Sequence, residues 1–150
     1  MNEFKPFDDR LNGLIVALSP AARRKLAVEI AKELRKSQQQ RIKQQKAPDG
    51  APYQARKRQP LRAKTGRIKR AMFQKLRTSR YMKATGSGNS AVVEFTGKVQ
   101  RIARVHQYGL KDRPNEFSQP LKYPQRQLFG VSEDEGRFVE ALMLKVIGSG

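Results

Sequence analysis

The chain contains no cysteine, which excludes disulfides, thiolate metal sites and thiol nucleophiles and suits a reducing compartment. It has a single histidine, His106, so a zinc site of the usual composition lacks its second soft ligand. Long apolar runs are missing as well. Nothing approaches the roughly 20 consecutive apolar residues of a bilayer span, and Met1 to Lys5 is followed by no apolar signal block. A soluble protein not exported by the standard route is expected, with no membrane among its partners and no cofactor or metal. Acids are scarce, 13 Asp and Glu against 32 Lys and Arg, for a net charge of +19.

The positive charge is one-sided. Between Asp49 and Glu94 there are twelve Lys or Arg and no acid. From Arg23 to Lys83 there are 21 bases against Glu29, Glu33 and Asp49, a net of +18, which leaves the rest near neutral. Such a field attracts an acidic partner, nucleic acid or protein, without choosing between them. Only Tyr53, Phe73 and Tyr81 are aromatic in the basic half, which argues against base-stacking platforms for single strands. Sequence-independent contact with phosphates stays open.

The 150 residues, 37% of them hydrophobic, suffice for one domain with a core. Phe4, Phe7, Leu11, Leu14, Ile15 and Leu18 draw an apolar stripe along a helix over 3–18. Ser19-Pro20 starts a second helix, with Ala22, Leu26, Ile30 and Leu34 on its apolar face. Beyond Leu34 the pattern fades into polar helix formers, so a helix continued to Lys46, roughly 40 Å at 1.5 Å per residue, is expected to project its distal half. Residues 1–46 thus read as a helical extension or hairpin. Pro48-Asp49-Gly50 and Pro52 open a basic linker over 47–64, and the chain from Arg35 to Arg58 is expected to be loose without a neighbour.

Residues 65–150 read as an α+β core, together with the rest one domain. Thr65-Gly66 predicts a helix over 66–75 with Ile68, Met72 and Leu76 on its face. Leu76–Lys83 and Ser90–Thr96 read as hairpin strands about Thr85-Gly86-Ser87-Gly88-Asn89. Ile102 to Tyr108 reads as a short helix closed by Gly109, 111–118 as a polar loop, and 120–130 as an extended sheet-edge segment. Ser132 with Glu135 has the form of a capping box opening a last helix with Phe138, Val139, Leu142, Met143 and Val146. The fold class is α+β: a small antiparallel sheet, flanking helices and an N-terminal helical extension.

Few motifs carry chemistry. Gly86-Ser87-Gly88-Asn89-Ser90-Ala91 has the spacing of a dinucleotide cradle but precedes a strand where a helix is required, so a hairpin turn is the better reading. His106 has no assignable nucleophile or orienting acid nearby, and a structural or interface role is expected. The acids Asp8-Asp9 and Glu133-Asp134-Glu135 sit at helix starts, where they complement the dipole. Thr65 to Arg70 either caps a helix or holds a phosphate.

The segments 1–15 and 18–20, Gln45 to Gly50 with Tyr53, Lys64 to Phe73, Val105-His106-Gln107-Tyr108-Gly109 and Tyr123-Pro124-Gln125-Arg126-Gln127-Leu128-Phe129-Gly130 together resemble the phage virion morphogenesis family, in its order and along nearly the full length. The resemblance implies a non-enzymatic structural protein that completes the tail of a contractile phage and prepares it to join the head. It also implies a neck or tail-terminator-like ring subunit, usually in hexamers. Partners implied are copies of the chain, the tail tube, sheath or terminator and neck proteins, with phage DNA a possible contact. The expected location is the virion tail, after assembly in the host cytoplasm. No active-site residues carry over. Interface candidates are Arg35, Arg41, Lys43, Arg56, Lys57, Arg58, Arg67, Lys69, Arg70, His106 and Tyr108. The alternative is a nonspecific nucleic-acid-binding protein using the basic 23–83 region.

Overall fold

Ser19 caps the first helix described, α1 (Pro20–Lys43), by accepting a bond from the Ala22 amide at 3.2 Å, with Pro20 in the first turn. The computed structural model describes residues 18–56, 71–88 and 90–149. The helix expected over 3–18 therefore lies outside the described residues, apart from Leu18, which packs against the core. Leu26, Ala27, Ile30, Ala31, Leu34, Gln38, Arg41 and Ile42 form one buried stripe down α1. The distal half does not project. It continues to bury side chains because two of the polar residues, Gln38 and Arg41, find partners inside the fold, as described below.

Helix α1 ends at Lys43, not Lys46, because Gln45 adopts φ 59°. The Gln45 side chain then bonds the chain segment beside it: its amide donates to the Met72 carbonyl at 2.9 Å and its oxygen accepts from the Met72 amide at 2.8 Å. Asp49 closes a tight turn by accepting from the Ala51 amide at 2.8 Å, and Lys46 pairs with Pro52. Tyr53 donates its hydroxyl to the Gln127 carbonyl at 2.7 Å. Residues 35–56 thus make hydrogen bonds within the monomer, where the sequence reading expected a loose chain.

Residues 71–81 run as turns. Met72 and Leu76 are buried as their pattern implied, but Phe73 at φ 68° cannot sit in an α-helix. The helix expected over 66–75 is therefore not formed in its described part. Strands β1 (Met82–Gly86) and β2 (Ala91–Phe95) pair antiparallel from Met82–Phe95 to Gly86–Ala91. The first strand starts six residues later than the sequence reading because 76–81 are turns, and the connection spans 87–90, where Ser87 donates its amide to the Ser90 carbonyl at 2.8 Å. Met82, Val93 and Phe95 face inward against α1, and Phe95 stacks on Phe129 at 4.4 Å between centroids.

Helix α2 (Gln100–Tyr108) closes at Gly109, whose φ of 65° is the left-handed cap expected of it. Strands β3 (Lys111–Asp112) and β4 (Leu121–Lys122) pair antiparallel at the base of a loop. The α+β class holds, with two separate two-stranded sheets among the described residues in place of one. Part of the supposed polar loop is β3, and within 120–130 only β4 is a strand. Helix α3 (Glu133–Ser149) starts where the Ser132 hydroxyl accepts from the Glu135 amide at 3.1 Å, and it buries Val139 and Met143. No helix among the described residues is long and apolar enough to cross a membrane.

Candidate assembly surfaces

Residues 128–130 are buried yet belong to no strand, so their backbone polar groups need partners from elsewhere. Side chains supply them from two helices. On α2, Gln107 donates to the Phe129 carbonyl at 2.9 Å and accepts from the Leu128 and Phe129 amides at 2.8 and 2.9 Å. On α1, Arg41 donates to the Leu128 and Gly130 carbonyls at 3.0 and 2.8 Å. The oxygen of Gln38 accepts from Arg41 and from the Gly130 amide. Glu135 completes the set, accepting from Ser37 at 2.8 Å and from Gln38, 3.4 Å from the Arg41 guanidinium. Glu135 was read as half of a capping box. Its backbone takes that part, while its carboxylate turns to the basic group that burial would otherwise leave unpaired.

Arg41, an interface candidate, is therefore corrected to an internal residue: it is only 9% exposed and its guanidinium is engaged within the chain. Arg35 is half-buried on α1, whereas Lys43 is exposed at its end beside an outward row with Lys32 and Lys36. Arg56 is exposed and lies close enough to lower the His106 pKa. Tyr108 is partly exposed at the end of α2. Lys57, Arg58, Arg67, Lys69 and Arg70 fall outside the described residues. The candidates that can be placed thus do not form one site. Arg56 and His106 lie together, and Arg35 and Lys43 share α1.

His106 is walled by aromatic rings. Phe73 meets it edge-on at 4.9 Å and Tyr123 at 5.3 Å, and Tyr53 meets Phe73 at 5.7 Å. Burial first, then the charges of Arg126 and Arg56, lower its pKa to about 4, so at neutral pH the ring is uncharged. Its Nδ1 is buried with no hydrogen-bond partner among the described residues. A ring held this way packs, and among the described residues no acid accepts a hydrogen bond from its Nδ1. Arg126, whose backbone amide donates to the His106 carbonyl at 2.8 Å, sends its guanidinium to the Gln54 and Ala55 carbonyls at 2.7 and 3.2 Å. It pins the linker to the core. Burial also raises the Tyr53 pKa to about 12.

Two surface features escaped the sequence reading. The first is Phe117, 90% exposed between β3 and β4. An aromatic in an otherwise polar loop was the available signal. Beside this loop, a groove of about 680 Å³ runs along α2, lined by Lys98, Arg101, Arg113 and His106 among others. On its wall Arg101 donates to Asp112 at 2.5 Å, a bond that lowers the Asp112 pKa. The second is a groove of about 350 Å³ between α1 and α3, floored by Leu34, Phe138 and Val139 and edged by Glu33 and Asp134. It depends on the pairing of two helices distant in sequence.

The profile of the phage virion morphogenesis family matches residues 2–147. The chain is 49% identical over 145 residues to "Tail completion protein S" of Escherichia phage P2, covering 96% of this chain and 97% of that one. No solved structure matches.

Proposed function

We propose that this chain, which belongs to the phage virion morphogenesis family, is a structural protein that completes a contractile phage tail and enables its joining to the head, as a ring of identical subunits, hexameric in our reading, at the neck. Whole-length kinship with the phage P2 tail completion protein carries this reading. Surface chemistry supports it: the chain exposes an apolar loop tip, a groove and a row of lysines, which suit contact with other proteins. His106 is engaged in packing and supports no enzymatic alternative. The protein assembles in the host cytoplasm and resides in the virion tail. Its partners are copies of itself and tail tube, sheath, terminator or neck proteins.

The test is genetic and visual. In a lysate of a related phage lacking its own completion protein, supply of this chain should convert unfinished tails, counted by electron microscopy, into tails joined to heads. Tails that stay unjoined with soluble protein present would reject the reading.

A second reading, nonspecific nucleic-acid binding, is favoured by the exposed lysines on α1 and the +19 net charge. It predicts that duplex DNA displaces the protein from tails.

A further inference from the structure

A chain of charge +19 repels its own copies over most of its surface. Any contact between copies needs a place where that repulsion is relieved. Among the described residues there are ten acids, and four of them, Glu33, Glu133, Asp134 and Glu135, gather where α1 meets the start of α3, Glu135 turned inward to Arg41 and Glu133 and Asp134 exposed. Lys36 also stands on this rim, and Arg137 lies 3.7 Å from Glu133 and 3.9 Å from Asp134. The groove these groups border has an apolar floor of Leu34, Phe138 and Val139, and Phe138 is 52% exposed. Its volume of about 350 Å³ lies at the lower end of the roughly 300–1,000 Å³ usual for small-ligand pockets, a size that suits the side chain of an aromatic residue.

The opposite partner lies elsewhere on the same chain. Phe117 is presented by a hydrogen-bonded turn: Asn115 Oδ1 accepts from the Phe117 amide and from the Ser118 hydroxyl, both at 2.9 Å. The β3–β4 pairing clamps the base of that loop. With its backbone already held, Phe117 has only its side-chain rotamer to fix on docking. Exposed bases surround it, Lys111, Arg113 and Lys122 on the loop and its strands and Lys98 on the neighbouring groove, with Glu116 and the Arg101-paired Asp112 the acids beside it. The two surfaces share no residue, so one copy can use both at once.

We propose that Phe117 of one copy seats in the α1–α3 groove of the next, with the bases around the loop meeting the acids around the groove. Such a contact is head-to-tail, and it closes into a ring when the rotation between neighbours divides a full turn. This inference rests on the ring reading above and specifies the contact that makes it.

Because the native chain has no cysteine, cross-linking reads the contact directly. Full-length protein carrying Gln119→Cys beside Phe117 and Gln40→Cys on the groove rim, treated with a short bismaleimide, should give a ladder from dimer upward on a denaturing gel, whereas Q119C or Q40C alone should give none. Phe117→Ser, at a solvent-exposed position, should keep the melting temperature, abolish the ladder in the double-cysteine background and shift native elution toward the monomer. Dimers from Q119C alone indicate a two-fold contact and overturn the proposal. Oligomers that persist in F117S without a 119–40 ladder overturn it too, as does linkage of the Q119C thiol only to another tail protein. Complementation separates this inference from the function. If the unmodified chain completes tails but the double variant gives no ladder, the contact is wrong and the function stands. If the ladder forms but the unmodified chain fails to complete tails, the function is wrong and the contact stands.

Discussion

Arg41 on α1 and Glu135 on α3 face each other at 3.4 Å with side-chain exposures of 10% and 11%, and between them they orient the buried segment 128–130. Removing both charges from water is costly, and a planar guanidinium repays the cost by serving two carbonyls and a carboxylate together.

Arg41→Ala should therefore destabilise the monomer by about 3–5 kcal/mol, since it strands Glu135 and the Leu128 and Gly130 carbonyls. Urea unfolding of the isolated chain is the measurement. A loss below about 0.5 kcal/mol, the usual surface effect, would return Arg41 to the set of interface candidates.

Gly86 lies on the backbone of α1. A Cβ there would come within 2.6 Å of the Ala27 carbonyl carbon, and neither the helix nor the hairpin can yield without losing core contacts. Gly86→Ala should cost about 1–3 kcal/mol by overpacking, seen as a lower melting temperature. Gly88→Ala, with open space around it, should leave melting nearly unchanged and serves as the control.

Stability should fall on acidification partly through His106. Its folded pKa of about 4 lies below the ordinary histidine value of 6.5, so between these pH values the unfolded chain binds more protons. The contribution is full above about pH 6.5, shrinks as the pH falls, and is gone below about pH 4. His106→Phe should lower the melting temperature less steeply across that window than the native chain, whose carboxylates are otherwise the same. Parallel pH profiles for the two proteins would dismiss this role.

The exposed row Lys32, Lys36 and Lys43 separates the two functional readings. Replacing all three by Ser should change stability little, because exposed charges contribute little. Attachment to tails should weaken. For DNA, log K falls against log salt with a slope of about −0.9 per neutralised phosphate, so the substitution should flatten that slope. Competition decides: if excess duplex DNA near physiological salt strips the native protein from purified tails, the nucleic-acid reading takes over.

Local signals were legible wherever the nearest few residues decide the outcome. Ser19-Pro20 began α1, Gly109 closed α2, Ser132 opened α3, and Val93 and Phe95 paired in β2, because caps and alternation act within a turn or a strand. Composition alone also determined the lack of thiol chemistry and the one-sided charge. What the tertiary structure decided lay where distant segments meet. Gln38 and Arg41 read as polar residues on a projecting helix end, Arg41 as an interface candidate, until the 128–130 backbone and Glu135, about 90 positions away, offered them partners. Gln45 likewise ended α1 by holding Met72, and residues 71–81 bury their apolar side chains in turns. A polar side chain is buried or exposed according to whether a complementary group waits for it, and no window of neighbouring residues contains that group.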